Sequence, residues 1–162
     1  MQNKIISKAP GRVCLFGDHQ DYLGLPIIAT TIDKEITIKA IKNNTEKFKI
    51  FKKDLNIHDS IDINQNISSD EKDFLKIALK VLKKYNCIPT EGYDIEIKSE
   101  RPINSGLSSS SALIVAWVNF LLTTFSDISI SPRLLADLSY EIEVKEMNGS
   151  GGKMDQYTTV SY

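Results

Sequence analysis

Apolar and polar residues alternate along much of the first hundred positions, a period that is typical of half-buried β-strands. We expect residues 46–52 to pair with 27–42 as a hairpin across Asn43 and Asn44, because asparagine tolerates the backbone of a tight turn. The polar stretch 58–70 has no such period and is expected to be irregular. Altogether the alternation predicts strands at 4–10, 12–17, 27–42, 46–52 and 92–100.

Three other segments repeat their apolar residues at helical spacing. The first begins near Ser69 or Asp70 and carries lysines on its polar face. The second, from about Ser109 to Thr124, is apolar on every side, which predicts a buried helix. The third has Ser131 as its N-cap and a proline as its first helical residue. Strands followed by interspersed helices predict an α+β domain with a mixed or antiparallel sheet.

The composition is that of one globular domain, with 162 residues, 41% of them apolar and 25% charged. A net charge of −1 argues against nucleic acid or an anionic membrane surface as the main partner. The apolar run 112–122 includes Asn119 and is too short to span a bilayer, and the N-terminus has no apolar core of signal-peptide length. We therefore expect a cytoplasmic protein, with Cys14 and Cys87 as buried free thiols.

Four serines, 108–111, follow Gly106 and lead directly into the predicted buried helix. The first N–H groups of a helix lack partners within it and lie at the positive end of its dipole. Small residues let an anion approach these groups, so the segment could bind phosphate, and one of the hydroxyls of Ser108, Ser109 and Ser110 could bind Mg²⁺. The simpler interpretation is a serine N-cap before a core helix, although a cap requires only one such side chain.

A polar cluster follows the second predicted strand, which has Arg12 at its start. Such groups can hydrogen-bond several hydroxyls of a sugar-like ligand. The alternative is an ordinary polar turn, in which an aspartate accepts hydrogen bonds from its own backbone. The cluster contains Asp18, His19, Gln20, Asp21 and Tyr22.

Two carboxylates flank a glycine-rich segment near the end of the chain. Glu143 lies on the third predicted helix, and Asp155 follows the glycines. A carboxylate beside such a loop could act as a base or orient a nucleophile. Taken alone, however, Glu143 also fits a solvated helix face, and Asp155 also fits a turn or cap residue.

Together the three segments resemble the GHMP kinases, the family of galactokinase, homoserine kinase, mevalonate kinase and phosphomevalonate kinase. "APGRVCLFGDHQDYLG" (9–24) resembles the galactokinase signature, and "PINSGLSSSSA" (102–112) resembles the family's ATP-binding loop. "GGKMDQ" (151–156), with Glu143 twelve residues before Asp155, resembles the segment that holds the catalytic aspartate. Among the members of the family, the resemblance is closest to galactokinase.

The resemblance implies a fold shared with a domain of ribosomal proteins, and ATP- and Mg²⁺-dependent phosphorylation of a sugar. Asp155 would act on the sugar hydroxyl as a base or orienting group, and Arg12 would stabilise the nucleophile and the developing phosphoryl charge. Ser110 and Glu143 would bind Mg²⁺. The implied ATP-binding residues are Pro102, Gly106, Leu107, Ser108, Ser109 and Ser110. The implied sugar-binding residues are Arg12, Asp18, His19, Asp21, Gly152 and Asp155.

Several positions depart from the family pattern. Asp18 stands where galactokinases usually have glutamate, Cys14 replaces a usual asparagine, and Ser111 occupies a position that is often alanine. These changes bear on which sugar is bound more than on whether a sugar is phosphorylated.

Family members also have a second domain that completes the cleft. We therefore expect residues 1–162 to be the N-terminal ATP- and substrate-binding domain without the C-terminal domain, and to be a poor catalyst alone. A separate C-terminal half or a homo-oligomer could supply what is missing. The alternatives are a non-catalytic sugar or nucleotide sensor, or a nucleic-acid-binding module, which the net charge of −1 disfavours.

Overall fold

A mixed β-sheet organises the structure, a computed structural model that describes residues 4–100, 109–149 and 151–161. Its strands are β1 (Lys4–Phe16), β2 (Ile28–Lys42), β3 (Lys47–Lys52), β4 (Ile57–Asp62) and β5 (Tyr93–Ser99). They lie in the order β1-β2-β5-β3-β4. The β3–β5 pair is parallel, whereas β1–β2, β2–β5 and β3–β4 are antiparallel.

Helices accompany the sheet, which confirms the predicted α+β class with a mixed sheet. A π-helical turn, Glu141–Lys145, continues the third helix, and a short 3₁₀ turn, Asp21–Leu23, follows β1. Within the described ranges, no helix combines the length and the apolar character that crossing a bilayer would require. The α-helices are α1 (Phe74–Lys83), α2 (Ser109–Phe125), α3 (Pro132–Tyr140) and α4 (Met154–Val160).

The predicted hairpin between 27–42 and 46–52 is wrong. Strand β5 lies between β2 and β3, so β3 pairs with β5 and β4 instead. Strand β4 overlaps the start of the stretch predicted to be irregular, and this edge strand buries only Ile61 fully. Local alternation identifies a strand but not its partner, and an edge strand with one buried side chain has too weak a pattern to detect.

The helix boundaries follow their capping residues. Ser131 caps α3 as predicted, accepting a hydrogen bond from Leu134 N–H at 3.1 Å. Helix α1 begins later than predicted, at Phe74, because Asp73 is its cap and accepts from Leu75 N–H at 2.9 Å. Several polar residues before Asp73 are equally good cap candidates by type, and only the fold selects among them.

Helix α2 is the centre of the hydrophobic core and, as predicted, is buried on nearly all sides. It packs on β1 and β2, and its Trp117 indole N–H donates to the Leu75 carbonyl of α1 at 3.0 Å. The Trp117 ring packs edge-on against Phe48 of β3, with ring centroids 5.5 Å apart. Ser7 of β1 donates to the Ala116 carbonyl at 2.8 Å. These contacts fix the middle of α2 between the sheet and α1.

The two cysteines differ in how deeply they are buried. Cys87 is buried and donates to the Leu121 carbonyl at 3.3 Å, and its burial raises the pKa of the thiol to about 11. Cys14 is only half-buried, so the prediction that both thiols are buried is wrong for this one. Both are free cysteines.

Trp117→Ala is expected to lower the free energy of unfolding by about 3–5 kcal/mol, because it leaves a cavity in the centre of the core. Urea unfolding followed by far-ultraviolet circular dichroism measures this, since Trp117 is the only tryptophan in the sequence and its fluorescence is lost. Ile88→Ala, at a residue that is 51% exposed, is the control and should change the value by less than about 0.5 kcal/mol. Equal losses in the two variants would contradict the central position of Trp117.

Candidate functional site

Residues from both ends of the chain meet at a cleft of about 550 Å³. The cleft lies where the end of β1, the loop after it, the π-helical turn and the start of α4 come together. All six residues predicted to bind a sugar line it, and Ser111 and Glu143 line it as well. The six are Arg12, Asp18, His19, Asp21, Gly152 and Asp155.

Arg12 and Asp155 form a bidentate ion pair on one wall of the cleft. Arg12 Nε donates to Asp155 Oδ1 at 2.7 Å, and Arg12 Nη2 donates to Asp155 Oδ2 at 2.8 Å. Burial alone would lower the pKa of Arg12, but the hydrogen bond and the charge of Asp155, with a further contribution from Asp18, raise it above its ordinary value. Two parallel charge-assisted hydrogen bonds hold the carboxylate in one orientation. The pair also ties β1 to the first turn of α4.

Glu143 extends from the π-helical turn toward the start of α2. Its Oε1 accepts from the hydroxyls of Ser110 at 2.7 Å and Ser111 at 3.0 Å. Its Oε2 accepts from Gln156 Nε2 at 2.6 Å. Three neutral donors therefore converge on one carboxylate that faces the cleft, so Glu143 is not an ordinary solvated residue on a helix surface.

Ser110 and Glu143 together fit the chemistry of a Mg²⁺ ligand pair. Mg²⁺ prefers oxygen ligands, and at nucleotide sites it usually binds one or two protein groups together with phosphates and water. Ser110 Oγ and Glu143 Oε1 are 2.7 Å apart, close enough to bind one ion. In the described part of the chain, no group of three or more histidine, cysteine, aspartate or glutamate side chains could hold a metal by itself.

Asp21 holds the glycine-rich segment against the loop after β1. Its Oδ2 accepts from the Met154 backbone N–H at 3.1 Å, and its Oδ1 accepts from its neighbour Tyr22 N–H at 2.9 Å. The backbone of Gly152 approaches so closely that a Cβ atom there would lie 2.0 Å from Asp21 Oδ2. A side chain at position 152 would therefore displace the Asp21 carboxylate.

Asp18 and His19 lie at the open mouth of the cleft. Their side chains are 68% and 83% exposed, with 3.9 Å between Asp18 Oδ2 and His19 Nε2. His19 has a left-handed backbone, with φ of 63°, which turns the chain sharply after β1. The two side chains are thus accessible to a ligand in the cleft.

The start of α2 presents the predicted ATP-binding residues that the structure describes. Ser109 and Ser110 border a pocket of about 250 Å³ with a mainly apolar lining that includes Phe74, Leu55 and Leu113. Pro102, Gly106, Leu107 and Ser108 lie outside the described residues, so the geometry of the phosphate loop stays a prediction.

Two residues of the site were not proposed from the sequence. Gln156, which is only 2% exposed, donates to Glu143, and Ser111, which is 1% exposed, contacts both Glu143 and Asp155. Gln156 could have been noticed as the direct neighbour of Asp155. Ser111 stood out only as a departure from the family pattern.

Comparison with known proteins identifies the family to which the chain belongs. The family profile of the GHMP kinases N-terminal domain matches residues 73–161, and the galactokinase galactose-binding signature matches residues 1–42. The chain therefore belongs to the GHMP kinases, as an N-terminal domain of that family.

Relatives include both galactokinases and mevalonate kinases. The chain is 28% identical to galactokinase from Glaesserella parasuis over 93% of its own length and 40% of that relative. It is 34% identical to mevalonate kinase from Saccharolobus solfataricus over 94% of its length and 48% of that relative. The chain thus spans less than half the length of these relatives.

Solved structures show the same fold. Methanococcus jannaschii mevalonate kinase superposes with a TM-score of 0.83 at 26% identity, covering 98% of this chain and 51% of that one. Lactococcus lactis galactokinase, solved in complex with galactose, superposes with a TM-score of 0.81 at 24% identity, covering 98% and 42%. The predicted fold is confirmed.

Gly152→Ala is expected to displace Asp21 and to break its hydrogen bond with Met154 N–H, since the new Cβ cannot occupy the same space. The amide signal of Met154 should move in a ¹⁵N–¹H spectrum, and the free energy of unfolding should fall by about 1 kcal/mol. Gly151→Ala is the matched control, because a Cβ there would meet only Val144 Cγ2, at an ordinary contact distance of 3.7 Å. An unmoved Met154 amide in Gly152→Ala would refute the steric argument.

Proposed function

We propose that this chain is the ATP- and substrate-binding N-terminal domain of a kinase that phosphorylates a hydroxyl group of a small sugar. The observation that carries the proposal is the bidentate Arg12–Asp155 pair, which faces the same cleft as the exposed Asp18 and His19. A carboxylate held in one orientation beside polar groups suited to sugar hydroxyls is what hydroxyl phosphorylation requires.

In this proposal Asp155 acts on the sugar hydroxyl that is to be phosphorylated. It orients the hydroxyl and accepts its proton while the oxygen forms a bond to the γ-phosphorus of ATP. The bond between the γ-phosphorus and the oxygen that bridges it to the β-phosphate breaks, and ADP leaves. Arg12 fixes the position of Asp155 and places positive charge close to the reacting groups.

Ser110 and Glu143 would hold Mg²⁺, which neutralises charge on the phosphates when it is bound. The phosphates would then lie at the start of α2, where backbone N–H groups and small side chains favour an anion. The apolar pocket beside Ser109 and Ser110 is suited to the adenine ring, because flat apolar surfaces bind aromatic bases well.

A sugar is proposed as the substrate because the galactose-binding signature covers residues 1–42, which include Arg12, Asp18, His19 and Asp21. Relatives named mevalonate kinase match over a similar share of this chain. The substrate panel in any assay should therefore contain galactose, other hexoses and mevalonate, with ATP as phosphoryl donor.

We further propose that a second domain completes the cleft, on the same polypeptide or on a separate one. The support is that the chain covers only 40–48% of the relatives compared above. A cytoplasmic location, where ATP is plentiful, would suit this activity.

Asp155→Asn and Asp155→Ala, made in the protein with its second domain, are expected to lower kcat by about 10²–10⁴-fold, because both remove the proton acceptor. Binding of a non-hydrolysable ATP analogue, measured by calorimetry, should change little. Asp59→Asn, on the β4 edge strand and paired there with Lys52, is the matched control and should leave kcat unchanged. Ordinary turnover in the Asp155 variants would remove this residue from the proposed role.

The 162-residue chain alone is expected to bind ligand but to turn over poorly. Calorimetry with each sugar and with the ATP analogue tests binding, and a coupled ADP-release assay tests turnover before and after the second domain is supplied. Phosphorylation that appears only with the second domain supports the proposal. Sugar binding without phosphorylation even then would favour the sensor, and kinase rates from the isolated chain would overturn the incomplete-catalyst part of the proposal.

A further inference from the structure

Ser111 links the two carboxylates of the cleft. It lies in the first turn of α2 and is only 1% exposed. Its Oγ is 3.0 Å from Glu143 Oε1 and 3.4 Å from Asp155 Oδ2. One buried hydroxyl therefore lies between the proposed Mg²⁺ ligand and the proposed proton acceptor.

A serine hydroxyl has one proton, so it can donate fully to only one of these carboxylates at a time. The shorter distance assigns the proton to Glu143 in this structure. Rotation about the Cβ–Oγ bond would move it toward Asp155 without moving the backbone.

Both carboxylates have donors besides Ser111, since Asp155 also accepts from Arg12 Nε and Nη2. Glu143 also accepts from Ser110 and Gln156, so it keeps two donors if the Ser111 proton turns away. A cation on Glu143 Oε1 would compete with the Ser111 proton for that oxygen and would free the hydroxyl to donate to Asp155. Binding of a cation at Glu143 can therefore change the hydrogen bonding of Asp155, the carboxylate proposed to face the sugar.

We propose that Ser111 is a positioning residue that couples the Mg²⁺ position at Glu143 to the orientation of Asp155. This rests on the proposed function, and it assigns a role to the serine at a position where alanine is common in the family. Ser111 touches neither substrate in this proposal, and its effect passes through the two carboxylates.

The Arg12 Nε–H signal reports directly on Asp155, because that N–H donates to Asp155 Oδ1. The sequence contains three arginines, Arg12, Arg101 and Arg133, so their side-chain signals can be assigned by substitution. Addition of MgCl₂ to the 162-residue chain saturated with a non-hydrolysable ATP analogue should shift both the Glu143 backbone amide and the Arg12 Nε–H signal. In Ser111→Ala the shift of the Glu143 amide should remain, and the shift of the Arg12 Nε–H signal should disappear. Ser111→Thr retains a hydroxyl and should restore the Arg12 shift.

Ser139→Ala is the matched control. Ser139 is likewise a fully buried helical serine, but its hydroxyl donates to the Leu135 backbone carbonyl at 2.7 Å, away from both carboxylates. A general loss of stability would affect both alanine variants, whereas loss of coupling should affect only Ser111→Ala. In the kinase with its second domain, Ser111→Ala should lower kcat about tenfold and change KM for sugar by less than about twofold.

An Arg12 signal that responds to MgCl₂ equally in the wild type and in Ser111→Ala would overturn the coupling while leaving the proposed function intact. The coupling would also be overturned if, in the wild type, MgCl₂ shifted the Glu143 amide signal but not the Arg12 Nε–H signal. A wild-type chain with no response at either residue would remove Ser110 and Glu143 as Mg²⁺ ligands, and the coupling with them. Failure of the proposed function would instead be seen as absence of phosphorylation in the wild-type kinase.

Discussion

The burial of α2 is the constraint on which the rest of the structure depends. An apolar helix must be covered on every side, so the sheet and the other helices pack around it. Its first turn therefore has little freedom, since Trp117 and Ala116 further along the helix are bonded to α1 and β1. Ser110 and Ser111 lie in this first turn, so their backbone positions are fixed as well. A rigid helix start allows two hydroxyls to meet one carboxylate at hydrogen-bonding distance.

The site divides its charges between two environments. Asp155 is matched by the positive charge of Arg12, whereas Glu143 is held by hydroxyl and amide donors. Neutral donors bring no opposite charge to a carboxylate, whereas a guanidinium supplies a positive charge and fixes the orientation of its partner. The adjacent carboxylates therefore differ in their surroundings, and the Ser111 hydroxyl lies between them.

Prediction from the sequence succeeded where the signal was local and strong. The buried character of α2, the Ser131 cap and the strand at 93–99 all follow from patterns within a few residues. The β2–β3 hairpin was wrong because β5 enters the sheet between them from about forty residues later in the chain. Strand β4 and the true start of α1 were missed because polar segments offer several conformations of similar energy.

The sequence alone determined the family and the six predicted sugar-binding residues that line the cleft, because motifs keep their residue types and their order whatever the surrounding fold. Only the tertiary structure decided how those residues relate to each other. Arg12 and Asp155 are separated by 143 positions, and no local pattern predicts that their side chains form a bidentate pair. The contacts of Ser111 with both carboxylates are likewise not visible in the sequence, because hydrogen bonding depends on differences of a few tenths of an ångström that only packing sets.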